Sequence, residues 1–431
     1  LRRLILSYQL FLIFYRAGIH LVSFWNKKAA LWITGRKNVF DKLQQSLPPF
    51  GIKKIWMHCA SLGEFEQGKP VLQKIKAEFP DAVIVITFFS PSGFEIVKNH
   101  KDLDRVFYLP MDSKSHAEKW LGILKPDLVL WVKYEYWYYY LREIKRKNIP
   151  LLMISGVYRQ NQIFFRWYGG FYRKMLGSFT HFFVQNEASA AQLGRLIPAE
   201  RITVSGDTRC DRVIDIAGNF TEVPGIREFC GGHNVIVAGS TWEEDEVEWI
   251  HFVRKNPDIR FIFAPHEIDE GNLLDVRKEF AGAILYTELI RNPQTASNCL
   301  VIDNIGTLSR LYRYATIAYV GGGFGDDGLH NILEAAVYGK PVLFGPEYDR
   351  NFEAAEMISC GGAISIENAI ELETTVRQLL AGQEERLRRG AAAADYVYRN
   401  AGATRKVLSF IKSKYLQYGQ LPVPDLPDQA E

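Results

Sequence analysis

Residues 317–346 read IAYVGGGFGDDGLHNILEAAVYGKPVLFGP. A short apolar run, a glycine run, a helical stretch, a Gly-Lys-Pro turn and a second apolar run follow one another there. Short apolar strands that alternate with helices are the building units of a parallel sheet covered on both faces. The same rhythm extends outward through most of the chain. Strands are expected at residues 55–59, 83–87, 105–109, 128–132, 150–155 and 181–184. A second series is expected at 235–239, 260–264, 300–302, 317–320 and 341–344. Two series predict an α/β protein with two Rossmann-like domains facing across a cleft, joined near residues 219–228, where Pro and Gly interrupt the pattern. Ligands of such sheets bind beyond the carboxyl ends of the strands, so the cleft is the expected site.

Composition agrees with this reading. A chain of 431 residues is too long for one ordinary core, which favours at least two domains. A net charge of +3 is too small for this length to argue for nucleic acid, and none is expected as a partner. The charge is unevenly placed. From Leu1 to Lys54 the bases are Arg2, Arg3, Arg16, Lys27, Lys28, Arg36, Lys37, Lys42, Lys53 and Lys54, against the single acid Asp41. Such an end suits an anionic membrane surface. Cys59, Cys210, Cys230, Cys299 and Cys360 are scattered without a CxxC, so neither a disulfide framework nor a zinc site is expected. Cys59 lies in an apolar run and reads as a buried structural thiol.

The N-terminal segment carries its own signal. Residues 4–14 (LILSYQLFLIF) are almost wholly apolar, and the run resumes at 17–25. The first piece is shorter than the roughly 20 residues needed to span hydrocarbon. Joined, the two pieces would place Arg16 and His20 in the bilayer. Interspersed aromatic residues and flanking cations suit the headgroup boundary. The bulky HLVSFW sequence at 20–25 offers no signal-peptide cleavage site. A membrane anchor, lying on or crossing the inner (cytoplasmic) membrane, is expected, with the rest of the chain on the cytoplasmic face beside Lys27, Lys28, Arg36 and Lys37.

Two stretches carry candidate chemistry. Residues 56–70 (WMHCASLGEFEQGKP) pass from a strand through a small-residue turn into a helix. Gly63 is expected to permit the turn and Glu64 to stand at the helix N-terminus, where a carboxylate is favoured. In a cleft, Glu64 could take a proton from a sugar hydroxyl, although on these residues alone an ordinary helix-start acid is the simpler reading. Glu66 would face solvent. In residues 317–346 the glycines would let backbone amides approach a phosphate at a helix N-terminus. Glu334, one turn into that helix, could accept from ribose hydroxyls, although Asn331 and Glu334 also have capping-box spacing. Gly323, Gly325 and Gly328 match a dinucleotide fingerprint, but Asp326 and Asp327 would oppose a pyrophosphate, and the match comes late in the chain.

Together these motifs resemble the bacterial 3-deoxy-D-manno-octulosonic acid (Kdo) transferases of lipid A, a family with the GT-B fold. The Ser-x-Gly-Glu turn of Ser61, Gly63 and Glu64 resembles the family's signature and implies Glu64 as catalytic base. The block from Gly328, His330, Asn331 and Glu334 through Gly339-Lys340-Pro341 and Gly345-Pro346 to Asn351-Phe352 resembles its nucleotide-binding block. That implies Glu334 on the ribose of the donor's cytidine monophosphate, with His330 and Asn331 near the phosphate. Asp326 and Asp327 depart from the family, which has a base there. Lys133 and Glu135 before Trp137 stand where the family often has two acids, implying Glu135 in acceptor binding or support of the base. Ser205 to Asp211 resembles a Gly-Asn-x-Lys-x-Asp turn, with Arg209 in the basic position. Ser240 and Thr241 match a family element suited to a phosphate or carboxylate. His266 follows Pro265 without the expected arginine, and Gly306 lies in a turn (DNIGTL, residues 303–308) resembling one near the nucleotide.

The resemblance implies an inverting transfer of Kdo from CMP-Kdo to a lipid A precursor (lipid IVA) in lipopolysaccharide biosynthesis, without metal or cofactor. The expected division is an anchor at 1–45, an acceptor domain at 46–218, a nucleotide-sugar domain at 219–415 and a loose tail at 416–431. A GT-B transferase using a UDP-sugar, a nicotinamide-dependent oxidoreductase and a non-catalytic membrane-bound relative are the alternatives.

Overall fold

A computed structural model describes residues 2–48, 51–99, 103, 105–133, 135–293, 297–326 and 328–415. Tyr134, Asp327, the tail from 416 and the side chains of Arg2 and Arg3 lie outside the described residues. The chain divides into two compact units, Leu1–Asp211 with Ala401–Glu431, and Arg212–Asn400.

The first unit is built on a seven-stranded parallel sheet. Its strands are β1 (Lys54–Cys59), β2 (Val83–Phe88), β3 (Val106–Tyr108), β4 (Leu128–Val132), β5 (Leu151–Gly156), β6 (His181–Val184) and β7 (Ile202–Val204). Their order is β3-β2-β1-β4-β5-β6-β7, so the winding reverses between β1 and β4. Loops leave the sheet in opposite directions at such a switch point and open a crevice beyond the carboxyl ends. Apolar residues on both sheet faces build two cores, one around Trp56, Trp120 and Trp131, the other around Met57, Phe65 and Phe88.

Three helices precede this sheet: α1 (Arg2–Val22), α2 (Lys27–Thr34) and α3 (Val39–Ser46). Helix α1 is long and apolar enough to cross a membrane, yet one stripe of it is docked. Ile5, Tyr8, Leu12, Tyr15 and Ile19, spaced by three and four residues, pack onto the unit. Tyr8 donates to Asp112 Oδ2 at 2.7 Å, and Gln9 donates to the Tyr139 hydroxyl at 2.5 Å. Tyr15 stacks on Phe89. Phe89, Asp112 and Tyr139 follow the ends of β2, β3 and β4, so α1 lies across the carboxyl ends of the strands. Its outer side leaves Leu6, Phe11, Phe14 and Leu21 exposed. Arg36, expected at the membrane surface, is turned inward instead. Its guanidinium donates to the carbonyls of Trp32, Phe89 and Leu109 and stacks 3.7 Å from the Trp32 ring. Three backbone acceptors and an aromatic face outweigh the hydration it loses.

The second unit repeats the plan. Its strands are β8 (Val235–Thr241), β9 (Arg260–Pro265), β10 (Ile284–Leu285), β11 (Cys299–Val301), β12 (Ile317–Val320), β13 (Val342–Phe344) and β14 (Ala363–Ser365), in the order β10-β11-β9-β8-β12-β13-β14. The switch point lies between β8 and β12. Strands β7, β10 and β14 were not expected. All three are two- or three-residue edge strands without the apolar run of a doubly buried strand.

The chain ends differ from the expected division at 415. The helix Ala403–Lys414 returns to the first unit, where Val407, Leu408 and Ile411 join the core of Phe65 and Phe88. Asp211 accepts from the backbone amides of Gly402 at 2.5 Å and Thr404 at 2.6 Å, satisfying amides that the start of this helix leaves unpaired. Truncating Ile411 to Ala should destabilise the first unit by about 2–5 kcal/mol, measurable by urea unfolding.

At the start of the helix Glu243–Lys255 the second unit buries two carboxyls. Asp245 accepts from Tyr319, Gly322 and Trp242, and Glu246 accepts from Thr241 at 2.7 Å. Burial, with Glu279 and Asp245 nearby, pushes the Glu246 carboxyl up to about 7 from an ordinary 4.5, against the Thr241 hydrogen bond. The folded state therefore holds this proton more tightly than the unfolded chain. Stability should fall as pH rises from about 4.5 to about 7, by on the order of 3 kcal/mol. Glu246→Gln should flatten that decline and exceed wild type above pH 7, read by thermal unfolding across pH.

Candidate active site

In the first unit, Glu64 stands in the first turn of α4 (Leu62–Glu78), directly after β1. The N-cap Ser61 makes no side-chain cap bond. Glu64 reaches back instead and accepts from the Ala60 amide, and its side chain is buried. The helix-start capping role therefore falls on the Glu64 carboxylate. Gly63 does not form the turn as expected. It is the second helical residue, with no left-handed backbone, and a Cβ there would meet only Ser61 Oγ at 4.0 Å. Its bareness keeps the helix start uncovered beside Glu64.

Glu135 is brought to the same strand ends from the loop after β4. One oxygen accepts from His58 Nε2 at 2.8 Å and from Trp137 Nε1 at 2.9 Å, while its carbonyl accepts from Trp131 at 2.6 Å. His58 is fully buried and lies 4.3 Å from the Trp131 ring. Its Nδ1 is 2.9 Å from Thr87 Oγ1, which accepts from Trp56 Nε1 at 2.8 Å. The donor pattern follows from the chemistry. The carboxylate can only accept, so His58 carries a proton on Nε2, and in the neutral ring Thr87, which accepts from the indole, donates to Nδ1. Both ring nitrogens of His58, the Thr87 hydroxyl and the indoles of Trp56 and Trp137 have partners in this chain, which fixes the Glu135 carboxylate in place. Glu64 and Glu135 both act on the Cys59 thiol, which burial first and these two charges second push well up. Cys59 is thereby an inert core thiol, as expected.

Arg209 is also at this end, but its guanidinium is engaged. It donates to Asp207 at 2.7 to 3.2 Å through Nε and Nη2. Burial opposes the charge on Asp207, yet Arg209 and, less strongly, Lys133 hold its carboxyl below the usual range. Lys133, after β4, has a left-handed backbone with φ 56°. Gln67 and Gln185 meet nearby at 3.4 Å, and Gln185 Oε1 is buried without a partner.

In the second unit, three rings gather beyond β8, β9 and β12. Trp242 and His266 stack at 4.5 Å, as do His266 and His330, and Trp242 donates to His330 Nε2 at 3.2 Å. That bond leaves the His330 proton on Nδ1. Asn331 and Glu334 touch at 3.3 Å, and Asn331 also accepts from the Leu333 amide. The helix carrying Glu334 is only Leu333–Ala336, so Glu334 lies in its first turn rather than one turn in. Close packing requires glycine at part of the run. A Cβ on Gly322 would lie 2.3 Å from the Gly328 carbonyl, and one on Gly323 would lie 2.6 Å from Gly345 N. Gly306 and Gly328, both with positive φ, face open space instead. Ser240 also has positive φ, at a register shift closing β8. The Thr241 hydroxyl is turned inward to Glu246 rather than presented to a ligand. Asp326 is exposed. Among the described residues no group of three His, Cys, Asp or Glu could hold a metal ion.

His58, Thr87, Asp207 and Trp242 were not singled out from the sequence. The partners of His58 are 29 and 77 residues away, which no local motif records. The Gly-Ser-Thr-Trp run beside a predicted strand end was the available signal for Trp242.

Comparison with known proteins completes the assignment. A family model described as 3-deoxy-D-manno-octulosonic-acid transferase (kdotransferase) matches residues 31–212. The 3-deoxy-D-manno-octulosonic acid transferase of Aquifex aeolicus is 25% identical over 361 residues, covering 80% of this chain and 92% of that protein. The Haemophilus influenzae protein of the same name is 24% identical, covering 85% and 87%. A bifunctional glycosyltransferase/methyltransferase of Fusobacterium nucleatum is 25% identical over 75% of this chain, which spans about half (52%) of that longer protein. Among solved structures, the UDP-GlcNAc 2-epimerase of Neisseria meningitidis matches with a TM-score of 0.61 at 15% identity, covering 84% of this chain and all of that one. MurG of Acinetobacter baumannii matches at 0.56 and 11%, covering 84% and 99%. Both show likeness of fold alone, two parallel-sheet α/β domains of the GT-B kind. With the Ser-x-Gly-Glu turn and the His330–Glu334 block in place, the chain is a glycosyltransferase that is similar to the bacterial Kdo transferases over most of its length and carries the region matched by their family model at residues 31–212.

Proposed function

We propose that the chain transfers Kdo from CMP-Kdo to a lipid A precursor, lipid IVA, in lipopolysaccharide biosynthesis at the cytoplasmic face of the inner membrane. The observation that carries this reading is the pairing of a buried helix-start carboxylate, Glu64, with an apolar helix lying across the same strand ends. A lipid-borne acceptor needs its hydroxyl beside a base and its acyl chains beside a membrane. The names of the relatives supply the transferred sugar.

In the proposed reaction Glu64 takes the proton of the acceptor hydroxyl as its oxygen attacks the anomeric carbon of Kdo. The bond from that carbon to the phosphate oxygen breaks, and CMP leaves with the electron pair from the opposite face. The configuration inverts. A phosphate is already a good leaving group, so the route invokes no metal. Imidazole N–H groups of His330 and His266 would meet the leaving phosphate, and Glu334 the ribose hydroxyls. Gly306 and Gly328 leave backbone uncovered for the donor. Glu135, held by His58 and Trp137, would orient the acceptor, with Arg209 and Asp207 as support.

The docked stripe of α1 bears on how the membrane is met. A helix held to its own unit from Ile5 to Ile19 cannot also cross a bilayer alone without leaving that surface. In this reading α1 lies on the membrane with Phe11 and Phe14 in the headgroup boundary. Glu64→Gln should lower Kdo transfer to lipid IVA by at least about 100-fold in detergent, while CMP-Kdo affinity changes by less than about twofold. Equal turnover of both proteins would remove Glu64 as the base.

A further inference from the structure

Beyond the sites above, the first unit carries an exposed aromatic tip. Trp167 is 89% exposed and Tyr168 is 54% exposed, in the loop between β5 and the helix Gly170–Leu176. The two rings stand side by side, 5.4 Å apart, and are not on a slack loop. Arg173 donates to the carbonyls of Phe164, Arg166 and Trp167, and the Gly169 amide donates to Arg166. The backbone is tied down while the two rings stand out.

Two further observations say what the tip meets. The first is charge. From Ile144 to Asn186 the chain has no Asp or Glu, and Arg159, Arg166 and Lys174 are exposed around the tip. The second is place. Phe171, which follows the tip, packs 5.6 Å from Tyr8 of α1 and 4.9 Å from Tyr138. The tip therefore continues the surface of α1 at the carboxyl ends of the strands. Indole and phenol rings beside arginine and lysine suit the boundary between headgroups and acyl chains of an anionic bilayer.

We propose that Arg166, Trp167 and Tyr168 form a second lipid-contact point, which inserts into an anionic bilayer surface alongside α1. This rests on the reading of α1 as a membrane-lying helix. Two separated contacts fix the orientation of the unit, as one helix free to roll would not. They hold the strand ends with Glu64 and Glu135 at the membrane surface.

The test uses the full chain with vesicles of phosphatidylethanolamine and phosphatidylglycerol whose acyl chains carry bromine, a quencher of tryptophan at short range. Wild type should lose more emission than Trp167→Phe, the difference belonging to Trp167. In flotation, a Trp167→Ser, Tyr168→Ser double variant should bind on the order of tenfold more weakly than wild type. Ile370→Ser, at an exposed apolar position in the other unit, should bind as wild type. Equal quenching of wild type and Trp167→Phe, with flotation intact, would overturn the second contact and leave the α1 reading standing. Wild type that fails to float would remove the α1 reading and this proposal with it. Equal flotation with phosphatidylcholine vesicles would overturn the anionic preference.

Discussion

Burying an imidazole at the end of a parallel strand is the constraint on which the first unit's site rests. His58 is sealed under the switch point, where an unpaired ring nitrogen would cost about 1–3 kcal/mol. Its two nitrogens are satisfied by Thr87 on the neighbouring strand and by Glu135 from the loop after β4. Satisfying the core thus holds a carboxylate at the crevice, on the next strand from Glu64. The parallel sheet dictates the location, because both faces are covered and only the strand ends remain for polar chemistry.

The same economy shapes the seating of α1. An apolar helix alone would meet lipid in any orientation. Docking one stripe through Tyr8, Leu12 and Tyr15 leaves a defined outer face, and the Tyr8–Asp112 hydrogen bond ties it to the end of β3. Burial pushes the Asp112 carboxyl up to about 6 even though it accepts from Tyr8 and two backbone amides. A buried, nearly satisfied acid of this kind defines one seating for the helix, since a shifted helix would leave Asp112 short of a donor.

Much of this fold was legible in the sequence, because doubly buried strands announce themselves as apolar runs. The strands that escaped, Ile202–Val204, Ile284–Leu285 and Ala363–Ser365, are edges with one neighbour each. The return of residues 403–414 to the first unit was hidden because an amphipathic helix does not state which core it covers. Glu64 and Glu135 in the first unit, and His266 and His330 in the second, were readable as candidates from motifs, whereas the side chains that hold them were not. Trp242 and Thr87 act through contacts made only after folding. At the glycines of 321–323 the sequence does not separate two demands, because close backbone packing and an open phosphate cradle call for the same residue.

The measurement that bears most directly on this account is product formation by the wild-type protein. CMP-Kdo and a tetraacylated lipid A precursor are incubated with it in detergent, and the lipid is weighed by mass spectrometry. The account predicts a lipid heavier by Kdo, formed in step with free CMP. A folded protein that leaves this lipid unchanged with CMP-Kdo, yet glycosylates it when given a uridine-linked sugar instead, would contradict it.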